Sequence, residues 1–389
     1  DPAVSPDGSL DAYAAGPLGA MKLYLKEAGV GTASSPLTET LSGHHRWPRW
    51  SPDGSRIAFL NSSSGSSSIQ VIPASGGTPR TIFQSDGGDE EIYGASWSPD
   101  GTQIAFGMQG GVHTISIAGG EPRRIVGLAD GHSPSWSPDG SRIAFVSGNP
   151  TFVFGTFVLG NIAPSAIWTV STDDLIAVQL TEATFLHMSP VWTADGNSLV
   201  FVSNHDGRRD IYQLPVARDG SANGERIRLT TGLNAHTVSL ARDESFLTYA
   251  VLQLNANVWS LEIPERGRTS TSLAVPVTTG NQTVEGISVS PDGEWLAYDS
   301  DLNGTQDIYR LRIGEGAPER LTNDPRDDFY PAWNHEGSEL AFYSFRSGKR
   351  DVWTMGADGS NEVRVTYDSG HNRAPQWSPD GTSLVYHSD

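Results

Sequence analysis

Short runs in which apolar and polar residues partly alternate recur along the chain, separated by turns rich in glycine, proline and aspartate. One example is Trp47-Pro-Arg-Trp-Ser-Pro-Asp-Gly-Ser-Arg-Ile-Ala-Phe59. The residues on both sides of its turn, Trp50 and Ile57–Phe59, favour β-strands. Pro52 presets φ for a type I turn, and Gly54 can adopt the left-handed conformation that follows. The pattern therefore predicts a tight β-hairpin with a bulge.

The Ser-Pro-Asp-Gly turn occurs nine times, and successive third positions lie 46, 47, 39, 56, 48, 49, 44 and 44 residues apart. Intact copies are Ser5–Gly8, Ser51–Gly54, Ser98–Gly101, Ser137–Gly140, Ser290–Gly293 and Ser378–Gly381, and altered copies are Thr193–Gly196, Ala241–Glu244 and Asn334–Gly337. A period in the forties with four short strands per unit is typical of a β-propeller.

A second pair of strands follows the hairpin in most units, as in Asp307-Ile-Tyr309 and then Glu319-Arg-Leu-Thr322. Each unit is thus predicted to form a blade of four antiparallel strands, A to D. This repeat resembles the TolB-like propeller repeat, a relative of the WD-repeat, over nearly the whole chain. The resemblance implies an all-β propeller fold. It leaves function open, because propellers serve as enzymes, receptors and scaffolds.

The repeat runs from end to end, so we predict one domain over residues 1–389. The expected blades are 1–43, 44–88, 89–128, 129–184, 185–232, 233–281, 282–325, 326–370 and a half-blade, 371–389. Eight blades are favoured because propellers usually have four to eight, and nine are the alternative.

The charge and the lack of cysteine narrow the classes of function. The net charge of −19 argues against a nucleic-acid partner, because the phosphate backbone would be repelled. The absence of cysteine excludes disulfides, thiol nucleophiles and Cys-ligated metals. No apolar stretch is long enough to span a membrane as a helix. The family resemblance implies a periplasmic or extracellular bacterial location.

The face of the blades that carries the B–C and D–A connections is the predicted binding face, since its loops vary while the Ser-Pro-Asp-Gly turns are nearly identical. Polar residues recur there at the entrance of each A strand, beside the central channel. The candidate binding residues are His45, Tyr93, His132, His187, His236, Glu285, Asp328, His371 and Arg373. Such a ring could hold a polar ligand or a metal, although hydrogen bonds to the backbone would be a structural alternative.

An apolar insertion between the B and C strands of the fourth unit is a candidate partner contact. As an extended hairpin it would expose Phe152, Phe154, Phe157 and Leu159, and exposed apolar surfaces often mark partner or ligand contacts. The alternative is a hairpin folded back on a neighbouring blade.

Motifs of catalysis are missing from the sequence: there is no Gly-x-Ser-x-Gly elbow, Walker loop, dinucleotide fingerprint or His-Glu-x-x-His. We therefore expect a non-catalytic propeller without a cofactor, binding a protein or a small polar ligand at the channel mouth. The rival is a lyase or hydrolase with a metal or a His/acid cluster in the channel. A third interpretation is a regulatory or sensor propeller excised from a larger protein, since the chain starts inside a repeat and its last repeat is incomplete.

Overall fold

The computed structural model describes residues 2–17, 19–28, 33–63, 65–85, 91–128, 130–150, 163–251, 255–265 and 267–388. These residues form antiparallel strands, apart from loops and one 3₁₀ turn, Thr271–Leu273. They divide into two compact units. Unit 1 comprises Asp1–Asn204 and Arg209–Leu252, and unit 2 comprises His205–Arg208 and Gln253–Asp389.

Unit 1 consists of five four-stranded sheets and one hairpin, and the strands of each sheet are neighbours in chain order. Its strands are β1 (Pro2–Val4), β2 (Leu10–Ala15), β3 (Lys22–Glu27), β4 (Ser34–Pro36), β5 (His44–Trp50), β6 (Arg56–Ser63), β7 (Ser66–Pro73), β8 (Arg80–Gln84), β9 (Tyr93–Trp97), β10 (Gln103–Met108), β11 (Gly111–Ser116), β12 (Arg123–Val126), β13 (Gly131–Trp136), β14 (Arg142–Ser147), β15 (Ala166–Ser171), β16 (Ala177–Gln179), β17 (His187–Trp192), β18 (Ser198–Ser203), β19 (Asp210–Pro215), β20 (Ile227–Arg228), β21 (Ala235–Leu240) and β22 (Leu247–Val251). The predicted four-stranded blade and the all-β propeller fold are confirmed.

The six A strands of unit 1 form a closed ring. Each of β1, β5, β9, β13, β17 and β21 packs against the next, and β21 packs against β1. Across this last junction the backbone N–H of Val4 donates to Ser239 Oγ at 3.2 Å. The prediction of one eight-bladed domain over 1–389, with nine blades as alternative, is not confirmed, because this ring closes after the sixth hairpin.

Unit 2 contains two four-stranded sheets and two hairpins. Its strands are β23 (Trp259–Ser260), β24 (Val275–Pro276), β25 (Ile287–Val289), β26 (Trp295–Ser300), β27 (Asp307–Arg312), β28 (Glu319–Arg320), β29 (Asp328–Trp333), β30 (Glu339–Ser344), β31 (Asp351–Gly356), β32 (Val363–Arg364), β33 (Asn372–Trp377) and β34 (Leu384–Ser388). The A strands β25, β29 and β33 lie side by side. Since β23 and β24 are the C and D strands of the sixth repeat, the unit boundary falls inside that repeat.

Each Ser-Pro-Asp-Gly turn holds itself together through its own side chains. In the third copy Ser98 Oγ donates to Asp100 Oδ1 at 2.6 Å, and the same oxygen accepts from the Thr102 N–H at 3.0 Å. These bonds lower the pKa of the Asp100 carboxyl. The altered sixth copy keeps the turn, because Glu244 adopts φ 58° where the other copies have glycine. The hairpins predicted from all nine copies are therefore present.

Two features stabilise the individual blades: apolar residues that follow each turn, and an ion pair between the C and D strands that recurs in several blades. The aromatic residue six positions after the turn carboxylate is fully buried in six of the nine units, as with Phe59 and Phe106. Between the C and D strands, Arg364 donates to the buried carboxylate of Asp351 at 2.7 Å, and Thr366 Oγ1 donates to it at 3.0 Å. Equivalent pairs join Asp210 to Arg228 and Asp307 to Arg320. The ion pair and the threonine hydrogen bond to the same carboxylate thus explain why Asp-Ile-Tyr and Arg-Leu-Thr segments recur.

Neighbouring blades are joined by the tryptophan that immediately precedes the turn. Its indole N–H donates to a backbone carbonyl in the A strand of the preceding blade, two residues before that blade's own turn. The bonds are Trp50 to Ala3 at 2.8 Å, Trp97 to Arg49 at 3.0 Å and Trp192 to Ser135 at 3.1 Å in unit 1, and Trp377 to Ala332 at 3.2 Å in unit 2.

Replacing Trp97 by phenylalanine removes this N–H and leaves the Arg49 carbonyl without its donor. The matched control is Trp136→Phe, because the buried Nε1 of Trp136 has no hydrogen-bond partner among the described residues. We expect Trp97→Phe to lower the free energy of unfolding by about 1 to 2 kcal/mol more than the control does. Urea unfolding followed by circular dichroism measures this difference. Equal losses would show that the bond does not stabilise the ring.

Candidate functional site

A cavity of about 270 Å³ lies in the middle of unit 1, lined by the six A strands and the first residues of the turns that follow them. Five tryptophans contribute to its wall: Trp47, Trp50, Trp97, Trp136 and Trp192. Hydroxyl groups contribute as well, from Ser96, Ser133, Ser135, Ser137, Ser189, Thr237 and Ser239. The cavity thus combines flat apolar surfaces with side chains that can form hydrogen bonds, the usual composition of a small-molecule site.

Bulges in the A strands shape this cavity. The pairing of β5 with β6, of β13 with β14 and of β17 with β18 shifts register within each A strand. At these points Trp47, Ser133 and Ser189 adopt left-handed φ values of 50°, 49° and 53°, and a proline follows each of them. Left-handed φ is uncommon outside glycine, and strand bulges often lie beside binding sites. All three residues line the cavity.

Two arginines give the cavity its charge. Arg49 on β5 and Arg242 in the sixth turn both line it, and no aspartate or glutamate does. Among the described residues neither arginine forms an ion pair; Arg49 donates instead to the carbonyl of its neighbour Pro48 at 2.9 Å. Burial lowers the pKa of Arg49 to about 10, so its guanidinium stays charged at neutral pH. In a protein of net charge −19 this cavity is locally cationic.

The rim of the cavity lies on the side of the A–B turns. The second residue of each turn lines it, and these residues are Pro6, Pro52, Pro99, Pro138, Ala194 and Arg242. Five of the six are apolar, and only the altered sixth copy supplies a charge. The side of unit 1 that carries the Ser-Pro-Asp-Gly turns therefore contributes to the cavity, whereas the binding face predicted from the sequence is the opposite one. A sequence signal existed in Ala241-Arg-Asp-Glu, where arginine replaces the usual proline.

The predicted channel histidines point away from this cavity into hydrogen bonds with their own blades. His45 is fully buried, with Nδ1 2.8 Å from Thr38 Oγ1 and Nε2 2.9 Å from the Ser42 carbonyl. His132 is buried as well, with Nδ1 2.9 Å from Ser133 Oγ and Nε2 2.8 Å from the Gly148 carbonyl. These contacts support the structural alternative for both residues, and their role in binding stays a prediction.

The other predicted residues of unit 1 lie next to the cavity without lining it. Tyr93 and His236 are half-buried, and each precedes a residue that does line the wall. His187 is fully buried, with its ring edge against Phe201 at a centroid distance of 5.8 Å. The residues predicted in unit 1 thus lie on the strands that form the cavity, one or two positions before a residue that lines it.

The predicted residues of unit 2 lie in different environments. Asp328 is fully buried and accepts from Arg346 at 2.7 Å, and His371 Nδ1 accepts from the Arg350 N–H at 3.4 Å. Glu285 is half-buried, and desolvation together with nearby Asp299 raises the pKa of its carboxyl to about 8. Arg373 is exposed. The predicted partner contacts Phe152, Phe154, Phe157 and Leu159 lie outside the described residues.

Metal-binding clusters and membrane-spanning helices are both absent from the described residues. No three His, Cys, Asp or Glu side chains in them are grouped so that they could hold a metal ion. Nor does any helix in this part of the chain have the length and apolar character needed to cross a membrane.

Four-stranded antiparallel blades closed into a ring around a channel define unit 1 as a β-propeller. The particular family follows from sequence, since the model of the TolB beta propeller domain matches residues 1–163 and 267–389. The chain belongs to this family.

Individual relatives are distant. An uncharacterised protein of Agrobacterium fabrum is 25% identical over 126 residues, which are 32% of this chain and 39% of that protein's own length. TolB from Acinetobacter baumannii is 14% identical, with 94% of this chain and 82% of that chain covered and a TM-score of 0.37. An oligogalacturonate lyase from Vibrio parahaemolyticus is 10% identical, with 97% and 93% covered and a TM-score of 0.38. Identities and TM-scores this low do not assign an activity to the chain.

The buried state of His132 predicts a pH dependence of stability. Desolvation, opposed in part by the bond to Gly148, lowers the pKa of its imidazole to about 4, below the ordinary 6.5. The unfolded chain therefore binds the proton first as pH falls. We expect stability to decrease between about pH 6.5 and pH 4, with a contribution from His132 of at most about 1.4 kcal/mol per pH unit.

The test compares His132→Gln with His335→Gln, which replaces an exposed histidine. Urea unfolding at several pH values should show a shallower slope for His132→Gln than for the control. A slope unchanged by His132→Gln would mean that this imidazole titrates normally in the folded protein.

Proposed function

We propose that this chain is a non-catalytic recognition propeller and that the cavity of unit 1 binds a small polar ligand. The observation that carries the proposal is the composition of the wall, which contains tryptophans, hydroxyl groups and Arg49, an arginine without an acidic partner in the described part of the chain. Apolar surfaces supply burial for a ligand, while a few polar groups fix its orientation. The binding side differs from the loop face expected from sequence.

The rigidity of the wall supports recognition rather than a large rearrangement. Hydrogen bonds join adjacent A strands of different blades. For example, the backbone N–H of Trp136 donates to Ser96 Oγ at 3.1 Å, and the backbone N–H of Val238 donates to Ser189 Oγ at 3.0 Å. A site held in this way exists before its ligand arrives, so little ordering is needed on binding. We also propose a periplasmic or extracellular location, which the family membership supports.

Filling the cavity should abolish binding. Val191 lines it, and Val191→Trp places a large side chain there; Ile176→Trp introduces the same side chain at a site that is 60% exposed and outside the cavity. In a thermal-shift screen of small metabolites, we expect ligands that raise the Tm of the natural protein and of Ile176→Trp but not that of Val191→Trp.

Circular dichroism of both variants checks that the ring is intact. Ligands that stabilise all three proteins equally would place binding elsewhere, on the loop face that carries His45 and His132. A screen without any ligand that depends on Val191 would contradict the proposed function.

A further inference from the structure

Several polar groups of the cavity wall have donor hydrogens available for a ligand. The guanidinium groups of Arg49 and Arg242 can only donate. Thr237 is 3% exposed, and its Oγ1 has no hydrogen-bond partner among the described residues. Ser96 and Ser239 each accept a backbone N–H through Oγ, which leaves the hydroxyl proton available. A ligand that satisfies this wall must bring acceptors.

The position of the charges favours a ligand with one anionic end. Arg49 lies on β5 along the wall, and Arg242 lies in the turn at the rim. The turn carboxylates near the rim, such as Asp53 and Asp100, are bonded within their own turns and do not line the cavity. They nevertheless surround the entrance with negative charge, which disfavours entry of ligands that carry several negative charges.

The tryptophans of the wall favour a ligand whose remaining part is apolar or aromatic. Trp50, Trp97 and Trp192 use their indole N–H groups to join the blades, so they offer carbon surfaces to the cavity. Flat carbon surfaces of this kind bind apolar or aromatic groups. The complement of the wall is therefore a molecule with an apolar body and acceptor oxygens at one end.

We propose, building on the proposed function, that the cavity binds an organic carboxylate: the carboxylate pairs with Arg49, and the apolar body lies against the tryptophans. A planar guanidinium donates two parallel hydrogen bonds to a carboxylate, which is stronger than a neutral pair. Arg49 is half-buried in the cavity wall, so part of its desolvation has already occurred before the carboxylate pairs with it. Arg242 at the rim attracts the anion on entry. The carboxylate could belong to a small molecule or to the C-terminus of a peptide.

The experiment is calorimetric titration of the natural protein with N-acetylphenylalanine, with its neutral amide and with inorganic phosphate. We expect the acid to bind at least ten-fold more tightly than the amide and than phosphate. Arg49→Met should weaken the acid at least ten-fold and leave the amide unchanged. Arg123→Met is the matched control, because it removes the same charge from an exposed position outside the cavity; it should change neither affinity.

The outcomes separate this inference from the proposed function. If acid and amide bind equally and both are lost in Val191→Trp, the cavity is a ligand site but the carboxylate proposal is wrong. If phosphate binds as tightly as the acid, the site is a simple anion site and the proposal is also wrong. Absence of binding by the acid at millimolar concentration overturns it as well. A hexapeptide ending in phenylalanine distinguishes the two sources, since tighter binding than N-acetylphenylalanine assigns the site to peptide C-termini.

Discussion

The bond from a tryptophan indole to a carbonyl of the preceding blade is the constraint on which unit 1 depends. In unit 1 it ties three pairs of adjacent A strands together, as in Trp97 to Arg49 at 3.0 Å. Because the indole N–H is used for this purpose, the ring system remains as an apolar surface of the central cavity. One set of side chains thus sets the spacing of the blades and also furnishes the wall of the candidate site.

The sequence predicted the local structure well because the information for it is local. Each turn is determined by four residues and their own hydrogen bonds, so even Ala241–Glu244, without proline or glycine, forms the same turn. The number of blades in a ring is not local. It depends on the packing between neighbouring blades and on whether β22 pairs with a third strand, and the repeat count does not encode either property.

The residues predicted at the entrances of the A strands are not those that line the cavity, because residue type and spacing do not give the direction of a side chain in a bulged strand. Side chains along a strand alternate between two faces, so a one-residue shift moves every later side chain to the other face. The left-handed residues Trp47, Ser133 and Ser189 introduce such a shift in the A strands. His132, just before such a bulge, bonds to the Gly148 carbonyl, whereas its neighbour Ser133 lines the cavity. Arg242 is visible in the sequence as a departure from the motif, since it stands where the intact copies have proline.

The junction between the first and sixth blades differs from the interior of any blade. No backbone ladder crosses it; β1 and β21 meet through packing and through the Val4 bond to Ser239 Oγ. We call this junction of β1 with β21 the seam. Separating the two blades at the seam would leave all strand pairing in place, since every sheet would stay intact. Slow amide exchange inside the blades would therefore not report on the seam, because no strand pairing of the described residues crosses it.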